Sequence, residues 1–333
     1  MREIIIKEFQ KNLKHKEFLI ITNKKIISYV FSRNDLILVF VTINKVYLFT
    51  NSPQIVSRAD ARIIVCRNIQ ESINTIRKLI EILKLETVNV DIFDCPFELV
   101  SSIGDLVEIV NFNSLFLNKL NLDNDIMQIN ATITKHILDE LLDKLTIEDN
   151  YITAKSTFRK LAYSYDIDDY HFSISRSEGD ITPSDSFNKD SIYYFDCGIS
   201  YKGIYSDVTI SKKFSSYLRE EIILLETILK SIEVGATGML DSSPQKVYRE
   251  IKNLFSKDQV LSNGFGHAIG ILIHEDYSLS DKNNSILQQN TFFTFEPLVY
   301  VNKDSKMNLF RLEKTFGKFV GIVDYFKGYS LIR

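Results

Sequence analysis

Residues 192–213 read IYYFDCGISYKGIYSDVTISKK, two runs of β-branched and aromatic residues meeting at Tyr-Lys-Gly, and this pattern predicts a β-hairpin. With the turn centred between Tyr201 and Lys202, Asp196 and Asp207 lie equally far from it and pair directly across the ladder. Their Cβ atoms would then stand roughly 4.5–5.5 Å apart on one face, where like charges destabilise a sheet. A chain that places them so must neutralise them, with an Arg or with a cation. Glu296 in FTFEPLVY and Glu313 in FRLEKTF repeat the arrangement about the polar connection VNKDSK, with Asp304 and Ser305 at its centre. Between the two pairs comes GFGHAIGILIHE, in which His267 offers a neutral nitrogen ligand. Four carboxylates and one imidazole converging on a point predict a site for two divalent metal ions. Hard oxygen donors with a single imidazole suit Mn²⁺, Co²⁺, Fe²⁺ or Zn²⁺ better than they suit a thiolate zinc site.

Length and charge exclude more than they specify. A chain of 333 residues predicts two domains. A net charge of −3 supplies no basic footprint for nucleic acid. The three cysteines, Cys66, Cys95 and Cys197, are odd in number and lack metal-ligand spacing, which predicts free thiols in a reducing compartment. The start MREIIIKEFQKN is charged and amphipathic rather than a signal-peptide run, and no 18-residue apolar stretch follows. The expectation is a soluble cytoplasmic protein with no membrane partner.

The first third reads as an α/β domain. Strand-like runs at 18–22, 25–31, 36–41, 45–50 and 62–66 precede a helical pattern over 69–84, in which Ile73, Ile76, Leu79, Ile80 and Leu83 recur at helical spacing. Further strand-like runs follow at 88–93 and 106–112. The domain junction is expected near Leu117 to Leu122, giving domains 1–120 and 121–333. Helices over Asp125 to Leu145 and Tyr151 to Ser164 then lead into the strand YHFSISRS and the first carboxylate hairpin.

In these stations the chain resembles the pita-bread metallopeptidases, the family of methionine aminopeptidase, aminopeptidase P and prolidase. The stations read Asp196-Cys197-Gly198, Asp207-Val208-Thr209, Gly266-His267-Ala268-Ile269-Gly270 with His274-Glu275, Glu296-Pro297 and Arg311-Leu312-Glu313, in the family's order. The resemblance implies an α/β amino-terminal domain, as in prolidase and aminopeptidase P, followed by an α+β pita-bread catalytic domain. It implies a dinuclear exopeptidase acting on short peptides, of the Xaa-Pro type, through a hydroxide shared by two divalent ions. Asp196 would bind one metal, His267 and Glu296 the other, with Asp207 and Glu313 bridging. Glu296 would also carry the proton to the leaving nitrogen, His274 would hold the substrate, and Arg311 and Tyr300 would support the first Asp and the transition state. A homodimer is expected.

Two positions depart from the prolidase-like pattern. Pro183-Ser184 and Asn263 stand where those enzymes resemble one another in having histidines. Neither Ser nor Asn can carry the proton or charge of an imidazole, and the loop before the first Asp is shortened. A catalytically silent pita-bread binding module and a metal-free creatinase-like hydrolase are the alternatives, and the intact ligand set argues against both. Arg311 and Tyr300 also admit a plainer reading as a structural ion pair and a packed ring, and His274 one as a core histidine. His15, His136 and His171 match no motif and read as surface or strand residues. Cys197 points to the face opposite Asp196 by strand alternation, and so reads as packing.

Overall fold

A computed structural model describes residues 3–31, 35–52, 61–90, 95–111, 123–179, 181–303 and 306–333. The chain divides into two compact units, Met1–Leu120 and Asn121–Arg333. The expected junction lies outside the described residues.

The first unit runs α1 (Glu3–Asn12), β1 (Glu17–Ile21), α2 (Lys24–Phe31), β2 (Leu36–Thr42), β3 (Val46–Thr50), β4 (Ala61–Val65), α3 (Ile69–Leu83), β5 (Thr87–Val90), α4 (Phe97–Ile103) and β6 (Glu108–Asn111). Its strands form one sheet in the order β4-β3-β2-β1-β5-β6, antiparallel from β1 through β3 and parallel at both flanks. The apolar stripe of α3, Ile73, Ile76 and Ile80, packs on Phe18, Leu38, Phe40 and Phe49 of the sheet. The α3 start is fixed by Asn68, whose side chain accepts from Glu71 N, while the Glu71 carboxylate accepts from Arg67 N. Reciprocal capping of this kind satisfies donors that a helix start leaves orphaned.

One expected strand is a helix. Residues 25–31, KIISYVF, form the body of α2, because Asn23 Oδ1 accepts from the amides of Lys25 and Ile26 and so nucleates a turn. A short run that buries Ile26, Ile27, Tyr29, Val30 and Phe31 carries no period that separates strand from helix, and the cap decides it.

The second unit runs α5 (Asn124–Lys144), α6 (Tyr151–Ser164), β7 (Asp169–Arg176), β8 (Ile192–Tyr201), β9 (Ile204–Lys213), α7 (Arg219–Gly238), α8 (Pro244–Lys252), β10 (Gln259–Leu261), β11 (Gly264–Ile269), β12 (Glu275–Ser280), β13 (Thr291–Phe295), β14 (Leu298–Lys303), β15 (Lys306–Arg311), β16 (Lys314–Lys318) and β17 (Ile322–Asp324). Three sheets result, ordered β7-β8-β9, β10-β14-β15 and β12-β11-β13-β16-β17. Helix α5 covers the first sheet, and its fully buried Asn130 donates from Nδ2 to Ile199 O at 2.9 Å and Ile204 O at 2.6 Å. That side chain clamps both strands of the β8–β9 hairpin just before its turn.

The hairpin turn lies one residue later than the sequence pattern suggests. Tyr201 pairs with Ile204, and the turn residues Lys202 and Gly203 both have positive φ, 49° and 76°. Two such residues make the mirror-image turn that matches strand twist, and Gly203 enters it without a Cβ penalty. Asp196 therefore faces Thr209, and Asp207 faces Gly198. The two Asp residues are diagonal neighbours on one face rather than a direct pair.

Candidate metal centre

The second carboxylate pair keeps its expected register across a change of sheet. Leu298 pairs with Arg311 in one ladder and Phe295 with Lys314 in the next, so Glu296 and Glu313 sit at the step between them. The connection at Asp304 and Ser305 lies outside the described residues. Glu296 N donates to Phe265 O at 2.8 Å, which ties this step to β11, the strand carrying His267. On β11 the register slips between Gly264 and Gly266 and again between His267 and Ala268. Gly266 has φ +152°, and a Cβ there would lie 2.3 Å from Thr294 O, so only glycine permits the irregularity that aims His267.

The side chains converge as follows. One Arg311 terminal nitrogen, Nη2, donates to Glu313 Oε2 at 3.0 Å and forms ion pairs with Glu296 Oε2 at 2.8 Å and Asp196 Oδ2 at 3.2 Å. Thr209 Oγ1 donates to Glu313 Oε2 at 2.7 Å. His267 Nε2 is 3.5 Å from Glu296 Oε1. Its Nδ1 lies 3.1 Å from Ala268 O, and since a carbonyl only accepts, Nδ1 carries the proton and Nε2 keeps its lone pair in the neutral ring. Ligand atoms of Asp207, His267 and Glu313 all lie within 4.8 Å of one another.

Three oxygens in this cluster are buried and accept no hydrogen bond: Asp196 Oδ1, Asp207 Oδ1 and Glu313 Oε1. Buried carboxylate oxygens without donors are costly, and here they belong to the residues expected as metal ligands. The donor set fits divalent cations, with hard oxygens in majority and one neutral imidazole nitrogen.

Electrostatics agree with that demand. Burial and then the Glu313 charge push the Asp207 carboxyl well above the usual range. Burial likewise raises Glu313 and, with the Glu313 charge beside it, pushes Glu296 up to about 8. Asp196 is also buried, yet His171, Arg311 and Ser173 together hold its carboxyl below the usual value. Burial lowers both His267 and His274, which keeps these rings neutral.

The other expected site residues divide. The exposed His274 sets its ring 4.2 Å, centroid to centroid, from that of His267, the planes tilted by 42°. Tyr300 shares a face of β14 with Leu298, the partner of Arg311, and is half-buried opposite Leu309. No contact joins it to the carboxylates among the described residues. The Pro183-Ser184 loop is tied to the start of α6, with Pro183 O accepting from Ile152 N and Ser184 O from Asn150 Nδ2. Asn263 Oδ1 accepts from Tyr248 Oη at 3.3 Å. Cys197 is buried, like Cys66 and Cys95. His15 and His136 are exposed. His171 is the exposed strand residue expected, on β7, and its Nε2 also reaches within 3.8 Å of Asp196 Oδ2. The hint in the sequence is alternation, since His171 and Ser173 share a face of β7 that pairs with Gly198 and Asp196.

With this geometry in view, the comparisons are specific. Residues 124–322 match the model of metallopeptidase family M24, which is more than half of the chain, and the chain belongs to that family. Relatives include YkvY of Bacillus subtilis, an inferred dipeptidase, 27% identical over 120 residues. Another is the uncharacterized peptidase SH1217 of Staphylococcus haemolyticus, 29% identical over 117 residues. The matched stretches span 35% and 34% of this chain and 33% of each relative. Among solved structures, a prolidase from Thermococcus sibiricus superposes with TM-score 0.82 at 16% identity, covering 100% of this chain and 99% of that one. A Xaa-Pro dipeptidase from Bacillus anthracis gives 0.80 at 15% identity, with full coverage of both chains. Aminopeptidase P of E. coli gives 0.78 at 11%, covering 98% and 95%. The fold is the pita-bread fold preceded by an α/β domain. No described helix is long and apolar enough to cross a membrane.

Proposed function

We propose that this chain is a dinuclear metal exopeptidase that hydrolyses short peptides, of the Xaa-Pro dipeptidase or aminopeptidase type. The observation that carries the reading is the set of three buried, unpartnered carboxylate oxygens on Asp196, Asp207 and Glu313 beside the lone pair of His267 Nε2. Asp196, Asp207, His267, Glu296 and Glu313 would hold two divalent ions, Mn²⁺, Co²⁺, Fe²⁺ or Zn²⁺. Bound, such ions acidify water and polarise an amide carbonyl.

The chain's own groups supply the rest. Glu296, 3.5 Å from His267 Nε2 and paired with Arg311, is the carboxylate placed for proton traffic, taking a proton from the attacking water and giving it to the leaving nitrogen. Arg311 fixes the rotation of Glu296, Glu313 and Asp196 through one nitrogen. His274, at the exposed edge of the cluster beside His267, is placed to donate to the substrate. Tyr300 would act with Arg311 in supporting the transition state. The departures at Ser184 and Asn263 leave His267, His274 and His171 as the imidazoles of the centre. We place the activity in the cytoplasm, on the odd number of cysteines without metal-ligand spacing, and expect a homodimer.

Metal analysis of the purified protein, followed by a cleavage panel of Xaa-Pro and Xaa-Ala dipeptides and longer peptides, tests the proposal. Wild type should carry two divalent ions per chain and favour Xaa-Pro. Asp207→Asn should lower metal content, because a neutral amide leaves two cations less screened from each other. Unchanged stoichiometry and affinity in that variant would refute the ligand assignment.

A further inference from the structure

The Asp196 carboxylate is held asymmetrically. Its Oδ2 has three polar neighbours from two elements: Ser173 Oγ, which donates at 3.4 Å, Arg311 Nη2, an ion-pair partner at 3.2 Å, and His171 Nε2 at 3.8 Å. Its Oδ1 is buried and accepts no hydrogen bond. His171 reaches this carboxylate because its partner across the β7–β8 ladder is Gly198, which places no side chain beside Asp196. A Cβ at Gly198 would already lie 2.6 Å from Ile273 Cδ1 and 3.3 Å from Asp207 Oδ1, so the gap is enforced by packing. A 3.8 Å separation is within reach of one bridging water.

We infer that His171 is a positioning residue of the metal centre, which with Ser173 holds Asp196 Oδ2 from the β7 side and so presents Oδ1 to the cation. The inference rests on the metallopeptidase reading. A carboxylate bound at both oxygens by the protein has little left for a metal, whereas one fixed at a single oxygen is a preoriented ligand. Partners of this kind set the direction and basicity of the ligand they hold, and their loss typically costs about 10- to 100-fold in metal affinity or activity. The His171 side chain is 48% exposed, so its replacement leaves the core intact.

Titration calorimetry of the full chain with Mn²⁺ and with Co²⁺, for wild type, His171→Ala and His171→Gln, separates the outcomes. His171→Ala should bind metal about tenfold more weakly or worse, while His171→Gln, whose amide still donates, should stay within about threefold of wild type. At saturating metal, the alanine variant should lose kcat rather than gain KM. Equal affinity of wild type and His171→Ala would overturn the role of His171 alone and leave the metal centre standing. An equal loss in both variants, with a changed Co²⁺ absorption spectrum, would show the imidazole to be a ligand itself and overturn positioning. A wild type that takes up neither metal would overturn the proposed function, and this inference with it.

Discussion

Replacing Glu296 by Gln should stabilise the metal-free protein while abolishing hydrolysis. Burial and the charge of Glu313 raise the Glu296 carboxyl from 4.5 to about 8. An acid whose pKa is higher when folded contributes stability that is complete below the unfolded value, and loses it as pH rises through the folded one. In chelator-treated protein the cost of ionising Glu296 therefore grows from pH 4.5 to 8. At about 1.4 kcal/mol per pH unit, the interval bounds that cost at roughly 3 kcal/mol at pH 7 and under about 1 kcal/mol at pH 5. Glu296 is only 20% exposed, so solvent screens little of this. Gln keeps an oxygen for Arg311 Nη2 and removes the charge. A gain of about 1–3 kcal/mol at pH 7 corresponds to a rise in Tm of very roughly 3–10 °C for a domain of this size. The assay is thermal unfolding of wild type and Glu296→Gln in EDTA at pH 5 and pH 7, alongside peptide cleavage with metal restored. Hydrolysis should fall about 10²-fold or more, since an amide accepts no proton from water. A variant no more stable than wild type at pH 7, or equally stabilised at pH 5, would refute the reasoning.

Asn130→Ala should destabilise the second unit by about 2–4 kcal/mol in denaturant unfolding. It strips donors from two buried carbonyls, Ile199 O and Ile204 O, and leaves Ser206 Oγ without the Asn130 oxygen it donates to. Gly266→Ala should weaken metal binding in calorimetry by more than about tenfold, since a Cβ 2.3 Å from Thr294 O forces β11 to shift and moves His267 with it. A Gly266→Ala protein with wild-type affinity would show that the irregularity in β11 is not what aims the imidazole.

How much of this was legible depended on the range of the forces involved. Helices α5 and α6 follow from local periodicity and caps, Asp123 and Asn150 accepting from the first turns. The register of Glu296 and Glu313 was legible because a single polar connection could hold its turn. The first hairpin was misplaced by one residue, since Tyr201-Lys202 and Lys202-Gly203 are both polar enough and only the left-handed demand of the turn selects the pair with glycine. The error was tolerable because moving the turn centre by one residue moves the pairing by two, which keeps both Asp residues on one face. Helix α2 was missed because its cap is one Asn side chain beside an aperiodic apolar run. His171 was missed for a different reason. Its relevance depends on β7 pairing with β8 rather than any other strand, and no residue within β7 encodes that choice.

The joining of the two hairpins was likewise outside local reach, and it explains how like charges can be brought together before any cation arrives. Glu313 and Thr209 exchange backbone hydrogen bonds, at 3.1 Å and 3.4 Å. Thr315 Oγ1 accepts from Asp207 N at 2.8 Å and donates to Asp207 O at 2.6 Å. Thr209 lies two residues from Asp207 and bonds Glu313, while Thr315 lies two residues from Glu313 and bonds Asp207. Both are neutral, so they draw β9 against β16 without cancelling the charge of Asp207 or Glu313. A lysine at either position would make a poorer cation site, because its ammonium would compete for the oxygens that are now without donors. Hydroxyls therefore supply the join, and Arg311, the one arginine or lysine in the cluster among the described residues, directs its contacts to Oδ2 and Oε2 atoms while the Oδ1 and Oε1 atoms of Asp196, Asp207 and Glu313 stay available. Such a division of oxygens between guanidinium and metal would let a buried four-carboxylate cluster both fold and take up the cations proposed for it.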